Sequence, residues 1–556
     1  MKQFVGIIIS MFIAVTATAQ ERRQINKPDF PYVSKVWVAD DGDGTYKNPI
    51  IHADYSDPDA IRVGDDYYMI ASSFDAVPCL PILHSKDLVN WTIIGHALNR
   101  QIPIDHFSSV QHGNGVWAPS IRYHNNELYI YYPDPDYGIY LTKATNITGP
   151  WSKPVLVQAG KGLIDPCPLW DDNGNAYLVH AYAGSRAGIK SIIVVKKLNS
   201  SADKVVDSGI IVYDGHKDDP TIEGPKFYKR NGYYYIFAPA GGVTMGWQLV
   251  LRSKNVYGPY ERKVVMDQGS TNINGPHQGA WVQTQTGEDW FIHFQDKGAY
   301  GRIVHLQPMQ WKNDWPIIGL DKDTNGKGEP VLNYKKPNVG TTYPICSPQE
   351  SDEFNDTTFG LQWQWQANPK DNWAKTTDHS LILHAVNISD AAKNYWYVPN
   401  ILLQKFPAEE FTATTKLYFD PGDTSDRAGL IIMGADYASL SLIKKPDGMY
   451  IDYAICKQAD KGLSETDTLL EKFNSHDIYL QVTVTKNAVC NFSYSKDNIH
   501  YRSIAASFTA KPGRWIGAKI GLFCTSTEHI APVHDNDAVA SMSIHGDAYI
   551  DWFRIE

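Results

Sequence analysis

The sequence predicts an all-β protein, a five-bladed β-propeller followed by a β-sandwich. One unit, made of a short segment, a polar turn rich in Gly, Asp and Asn, and an aromatic strand, occurs five times. It reads DPDAIRVGDDYYMIAS from Asp57, WAPSIRYHNNELYIYYP from Trp117, DPCPLWDDNGNAYLVHAY from Asp165, EGPKFYKRNGYYYIFAP from Glu223 and GPHQGAWVQTQTGEDWFIHFQ from Gly275. The aligned Tyr67, Tyr129, Tyr177, Tyr234 and Trp290 recur roughly every 50 to 60 residues, a period of propeller blades rather than of a single wound sheet. No long helical period interrupts these units, and a different pattern of short alternating strands follows them.

Taken in order, Met1 to Ala19 carries a lysine near its start, the apolar run FVGIIISMFIAV from Phe4 to Val15, and the small-residue ending Ala17-Thr18-Ala19. This is the pattern of a secretory signal, too short to span a membrane, and it predicts a secreted or periplasmic protein. No cysteine follows the expected cleavage point, and no later apolar stretch reaches spanning length, so no membrane anchor is expected. Residues 20–46 form a polar lead-in, and residues 47–320 are read as the propeller. Its recurring phrases SKDLVNWTIIG, TKATNITGPWSKPV and RSKNVYGPYERKVV place Trp91, Trp151 and Tyr260 in blade packing. Residues 321–347, rich in Gly, Pro, Asn and Lys, read as a linker or wrapping segment. Residues 348–556 contain FTATTKLYFD, RAGLIIMG, ASLSLIKK, GMYIDYAIC and IYLQVTVTK, the alternation of a sandwich.

At 556 residues the chain exceeds what one core serves, which agrees with two domains. A formal net charge of −10 with no basic cluster argues against nucleic acid or an anionic membrane surface as partner. The six cysteines are too few and too scattered for a disulfide-built fold, and they lack metal-type spacing.

Three of the five units begin with an acid beside a proline: Asp57-Pro58, Asp165-Pro166 and Glu223-Gly224-Pro225. Radially arranged blades bring equivalent positions to one axis, so acids far apart in sequence meet in a single pocket. Acetal hydrolysis needs one carboxyl group to protonate the leaving oxygen and a second to activate water or attack directly. A third carboxylate nearby keeps the acid protonated near neutral pH. Taken singly, an Asp before Pro often only caps a turn; three at blade-equivalent positions point to chemistry.

The phrases SDPDAIRVGDDYYM, GVWAPSI, LIDPCPLWDDNGNAYLV, IEGPKFYKRNGYYYIF, GPHQGAWV and GRIVHLQPMQW, in that order, resemble glycoside hydrolase family 43 over nearly the whole propeller. The resemblance implies an inverting, exo-acting or debranching glycosidase acting on arabinose- or xylose-containing plant cell-wall glycans. Its first expectation here is an α-L-arabinofuranosidase, with a β-D-xylosidase as the alternative; a propeller that binds glycan without cutting it is the reading from another class. It also implies roles, with Asp57 as general base (Asp59 its rival), Asp165 as the orienting, pKa-raising residue and Glu223 as general acid. No cofactor is required for that chemistry.

The same resemblance places His277 near the axis, holding a water or a metal ion; a hydrogen-bonded core histidine is the other reading. Arg302 is implied to reach the pocket, with a surface ion pair as its alternative, and Phe74 to wall the terminal sugar, with Asp75 touching hydroxyls. Trp117 either lines the pocket floor or packs its blade, and Trp247 either meets substrate or covers a loop edge. Asp352 and Asp551 resemble acids that hold a structural calcium in the accessory sandwich, which is lectin-like (a concanavalin-like jelly roll). That domain either binds glycan or supplies a loop to the pocket's rim.

Overall fold

The computed structural model describes residues 31–389, 391–527 and 546–556; the expected signal segment lies outside them. Residues Tyr32–Glu556 form one compact unit. Five four-stranded antiparallel sheets follow one another along the chain, each with its strands in sequence order. Blade 1 comprises Asp59–Val63, Asp66–Ile70, Cys79–Ser85 and Trp91–Leu98. Blade 2 comprises Ser120–His124, Glu127–Asp134, Gly138–Ala144 and Val155–Ala159, and blade 3 Leu163–Trp170, Ala176–Tyr182, Ile192–Lys197 and Ile210–Asp214. Blade 4 is built from Lys226–Arg230, Tyr233–Ala240, Trp247–Ser253 and Glu261–Met266, and blade 5 from His277–Gln283, Asp289–Asp296, Arg302–Lys312 and Trp315–Ile318.

The turn chemistry explains the hairpins. Asn125-Asn126 and Asn231-Gly232 join the first two strands of blades 2 and 4, and all four residues have positive φ, as a two-residue primed turn requires. The five recurring aromatics stand on the second strands and are all buried, from Tyr67 at 0% exposure to Tyr234 at 8%. First strands touch between blades 5 and 1, 1 and 2, 2 and 3, and 3 and 4, which puts them innermost. The lead-in closes the ring: Ile51 bridges Val304 of blade 5, and the Tyr46 hydroxyl and the Asn48 amide both donate to the Leu306 carbonyl at 2.8 Å. The segment after blade 5 wraps rather than links, since Asn333–Lys335 pairs with Thr45–Lys47.

The second domain is a sandwich of two eight-stranded sheets. Strands such as Phe411–Asp420 and Asp477–Thr485 alternate buried residues with mostly half-buried ones, with one face on the shared core and the other turned outward. The domain is docked by backbone pairing. Val77 and Trp365 exchange hydrogen bonds at 3.0 and 2.7 Å, and the Ala518 amide donates to the Ala299 carbonyl at 2.7 Å. All six cysteines are free thiols.

The two acids expected to hold calcium do not form a ligand set. Asp352 accepts from the Phe354 and Gly360 amides and from the Trp363 indole, so both its oxygens serve a turn. Asp551 pairs with Lys416 at 2.8 Å on the outer face. Among the described residues no group of three or more His, Cys, Asp or Glu could hold a metal. Oxygens committed to N–H donors and an ammonium do not fit a cation that needs six or more oxygen ligands.

Candidate active site

Asp57 and Asp165 stand immediately before proline in the left-handed region, each at φ 56°. A residue before proline normally stays extended, so this backbone is held by its surroundings, and Asp tolerates it better than most side chains. In blade 4 the left-handed position belongs to Gly224 (φ 60°), and Glu223 lies one residue earlier. The expected equivalence of the three acids thus holds for two. Glu223 aligns instead with Trp117, each standing two residues before a proline and donating its amide to a proline carbonyl of the next strand. Gly224 has no room for a side chain, since a Cβ there would lie 2.4 Å from Gln278 Cγ.

All three acids line one pocket, together with Phe74, Trp117, Val243, His277, Gln278 and Arg302. Trp515 of the sandwich completes the wall. Asp57 is buried, and its Oδ2 accepts from the hydroxyls of Ser56 at 2.7 Å and Ser72 at 2.6 Å. Arg302 Nη1 lies 3.1 Å from Oδ1, leaving that oxygen with a free lone pair. The same guanidinium packs on Phe294, 4.9 Å from the ring centre. Asp165 is 2% exposed, and its Oδ2 accepts the Gly224 amide at 2.7 Å. Burial first, then the Glu223 and Asp57 carboxylates, push the Asp165 carboxyl well above the usual carboxylate range. Glu223 is the accessible member of that pair, with 27% of its side chain exposed, and its Oε1 lies 3.0 Å from His277 Nε2. His277 Nδ1 is buried without a protein partner.

The walls are aromatic. Phe74 meets Trp117 edge-on at 6.3 Å, and Trp117 meets Trp515 the same way at 6.2 Å. The Arg186 guanidinium lies over Trp117 at 5.4 Å from the ring centre. Trp515 is 43% exposed, carries a left-handed backbone (φ 64°), and sits beside Gly113, where a Cβ would fall 2.3 Å from Arg514 Cγ.

Two expected substrate contacts lie elsewhere. Asp75 is directed away from Phe74 into a separate cavity between the domains, with its Oδ2 3.6 Å from His112 Nδ1. Trp247 packs into blade 4, its indole donating to buried Asp219 at 3.0 Å, and Val243 from the preceding turn reaches the pocket instead. Asp59 is no rival to Asp57: it is fully buried and paired with Arg122 at 2.7 Å. A second cavity lies between the lead-in and the sandwich, but Glu350 is the one carboxylate among its lining residues, facing a wall that includes Lys405. It lacks the second carboxyl that acetal chemistry needs.

Comparison with known proteins agrees with this geometry. Glycosyl hydrolases family 43 matches residues 46–316, and the Beta xylosidase C-terminal Concanavalin A-like domain matches residues 351–534. A protein of Xylanibacter ruminicola named "Putative beta-xylosidase" is 39% identical over 505 residues, covering 90% of each chain. The Beta-xylosidase of Formosa agariphila is 32% identical over 90% of each chain, and a Non-reducing end alpha-L-arabinofuranosidase of Bacteroides ovatus is 28% identical over 86% of this chain and 91% of its own. The solved GH43 BlXynB protein of Bacillus licheniformis superposes with a TM-score of 0.76 at 26% identity, over 92% of this chain and 99% of that one. The family match across the propeller, with relatives 39% and 32% identical over 90% of each chain, shows that the chain belongs to glycoside hydrolase family 43.

Proposed function

We propose that this glycosidase is an exo-acting β-D-xylosidase that releases terminal xylose from xylose-containing glycans by a single inverting displacement. The observation that carries the chemistry is the convergence of Asp57, Asp165 and Glu223 on one aromatic-walled pocket. Asp57 is the base, since Oδ1 faces no donor but Arg302 and can take a proton from water. Glu223 is the acid. Asp165 and Glu223 repel one another and keep a proton between them, and the accessible member delivers it to the leaving oxygen. In the tautomer with hydrogen on Nε2, His277 donates to Oε1 and leaves Oε2 for the acid proton. Xyloside is placed ahead of arabinofuranoside because the two relatives with the highest identities given above are named xylosidases. An α-L-arabinofuranosidase is the second reading, favoured by the Bacteroides ovatus relative. The N-terminal apolar run from Phe4 to Val15 supports action outside the cytoplasm.

The decisive experiment compares 4-nitrophenyl β-D-xyloside with 4-nitrophenyl α-L-arabinofuranoside while NMR follows the first anomer released. Faster turnover of the xyloside, with α-xylose appearing first, is expected. A preference for the arabinofuranoside reverses the substrate order, and β-xylose appearing first overturns inversion. Asp165 has its own test. Activity requires the shared proton, so it falls as pH rises through the pair's upper titration. Asp165→Asn removes the like charge that retains the proton, and the alkaline limb of kcat/KM is expected to move to lower pH by about one unit or more. An unmoved limb would remove Asp165 from the acid's control.

A further inference from the structure

Trp515 reaches the pocket from a domain that begins its own fold some way beyond the propeller, so something must fix where its loop lies. Gly513 to Gly517 carries it, and the close approach is measurable: a Cβ on Gly517 would stand 2.6 Å from the Gly301 amide nitrogen. On the propeller side, a Cβ on Gly301 would strike the Asp54 carboxylate at 2.5 Å. Asp54 is 6% exposed, and both its oxygens are in use. Oδ1 accepts the backbone amide of Arg302 at 2.9 Å, and Oδ2 accepts the backbone amide of Gly517 at 2.8 Å. One buried carboxylate therefore holds the residue that contacts Asp57 and the loop that carries Trp515.

A buried carboxylate is costly unless it is hydrogen-bonded and electrostatically opposed. Burial pushes the Asp54 carboxyl up, against the opposing charges of Arg302 and of Lys405 and Lys519 in the sandwich, which are direct cross-strand partners. The propeller's acid and the sandwich's cations thus face each other across the domain boundary next to the pocket.

We propose that Asp54 is a positioning residue that couples sandwich docking to the substrate pocket by seating Trp515 against the sugar. This rests on the reading of the pocket as the sugar site. Asp54→Asn preserves shape but turns one acceptor into an N–H donor facing a backbone N–H, so one of the two anchors is lost. In the otherwise native protein, Asp54→Asn is expected to lower kcat/KM for the xyloside about tenfold, mostly through KM. In a Trp515→Ala background the same change is expected to cost less than about twofold, because the ring it positions is gone. Equal losses in both backgrounds, or no loss in either, overturn the proposal. Gly517→Ala approaches the same contact from the sandwich side without altering the acid, and serves if Asp54→Asn does not fold. Its loss is expected to show the same dependence on Trp515, and equal losses would again overturn it. If the unmodified protein cleaves neither glycoside, the functional reading falls, and the cycle is read in the Kd for xylose; absence of any xylose binding overturns both.

Discussion

Glu223→Gln is expected to lower kcat on xylobiose about 10²–10⁴-fold, with KM changed by less than about threefold. The amide keeps the volume of the carboxyl and can keep the contact with His277 Nε2, so the pocket shape survives. What it loses is the transferable proton. The loss must therefore depend on the leaving group. A xylose leaving group departs as a strongly basic alkoxide unless it is protonated, whereas dinitrophenolate departs without help. The deficit is expected to shrink to about tenfold or less on the dinitrophenyl xyloside. Equal losses on both substrates would show that Glu223 does something other than donate a proton to the departing oxygen. Binding of xylose should persist, which separates this result from a collapsed site.

Much of this site was legible because the propeller is periodic. Five copies of one unit announce five blades, and the radial arrangement then carries Asp57, Asp165 and Glu223 to one axis without further information. Register was less legible. Glu223 precedes the left-handed position that Asp57 and Asp165 occupy, and that offset depends on φ values that a short alignment around proline does not reveal. Phe74 stands in the left-handed region at φ 50° and Asp75 in the turn that follows it, so the chain reverses between them, Phe74 lines the pocket and Asp75 does not. The choice between substrate contact and packing for Trp247 is settled by a contact the sequence does not display. Buried Asp219 captures its indole, and a hydrogen bond to a partner nearly thirty residues away leaves no local signature. Trp515 was beyond reach except as a loop aromatic framed by Gly513 and Gly517, because it enters the pocket through docking between domains rather than through any repeat. The expectation that the sandwich supplies a loop to the rim identified the relationship but not the residue.

Asp57→Asn is expected to abolish turnover more uniformly than Glu223→Gln, lowering kcat about 10²–10⁴-fold on xylobiose and on the dinitrophenyl xyloside alike. Water must be deprotonated whatever the leaving group is, so loss of the base cannot be bypassed by a better one. The backbone is not the cause of the deficit, because Asn tolerates the φ of 56° at this position about as well as Asp does. The cause is local. Ser56, Ser72 and Arg302 all donate toward Asp57, and an amide nitrogen placed among them meets donors on every side. The variant also strips the Arg302 guanidinium, only 12% exposed, of its counter-charge. Breaking a buried pair in this way costs about 3 kcal/mol, so a lowered Tm should accompany the lost activity. Glu223→Gln carries no such stability penalty, because its side chain is partly solvated and pairs with a histidine rather than a fixed cation. The two variants are thus separable by two independent readouts, leaving-group dependence and thermal midpoint. If Asp57→Asn were rescued by the dinitrophenyl leaving group and Glu223→Gln were not, the base and acid assignments would have to be exchanged.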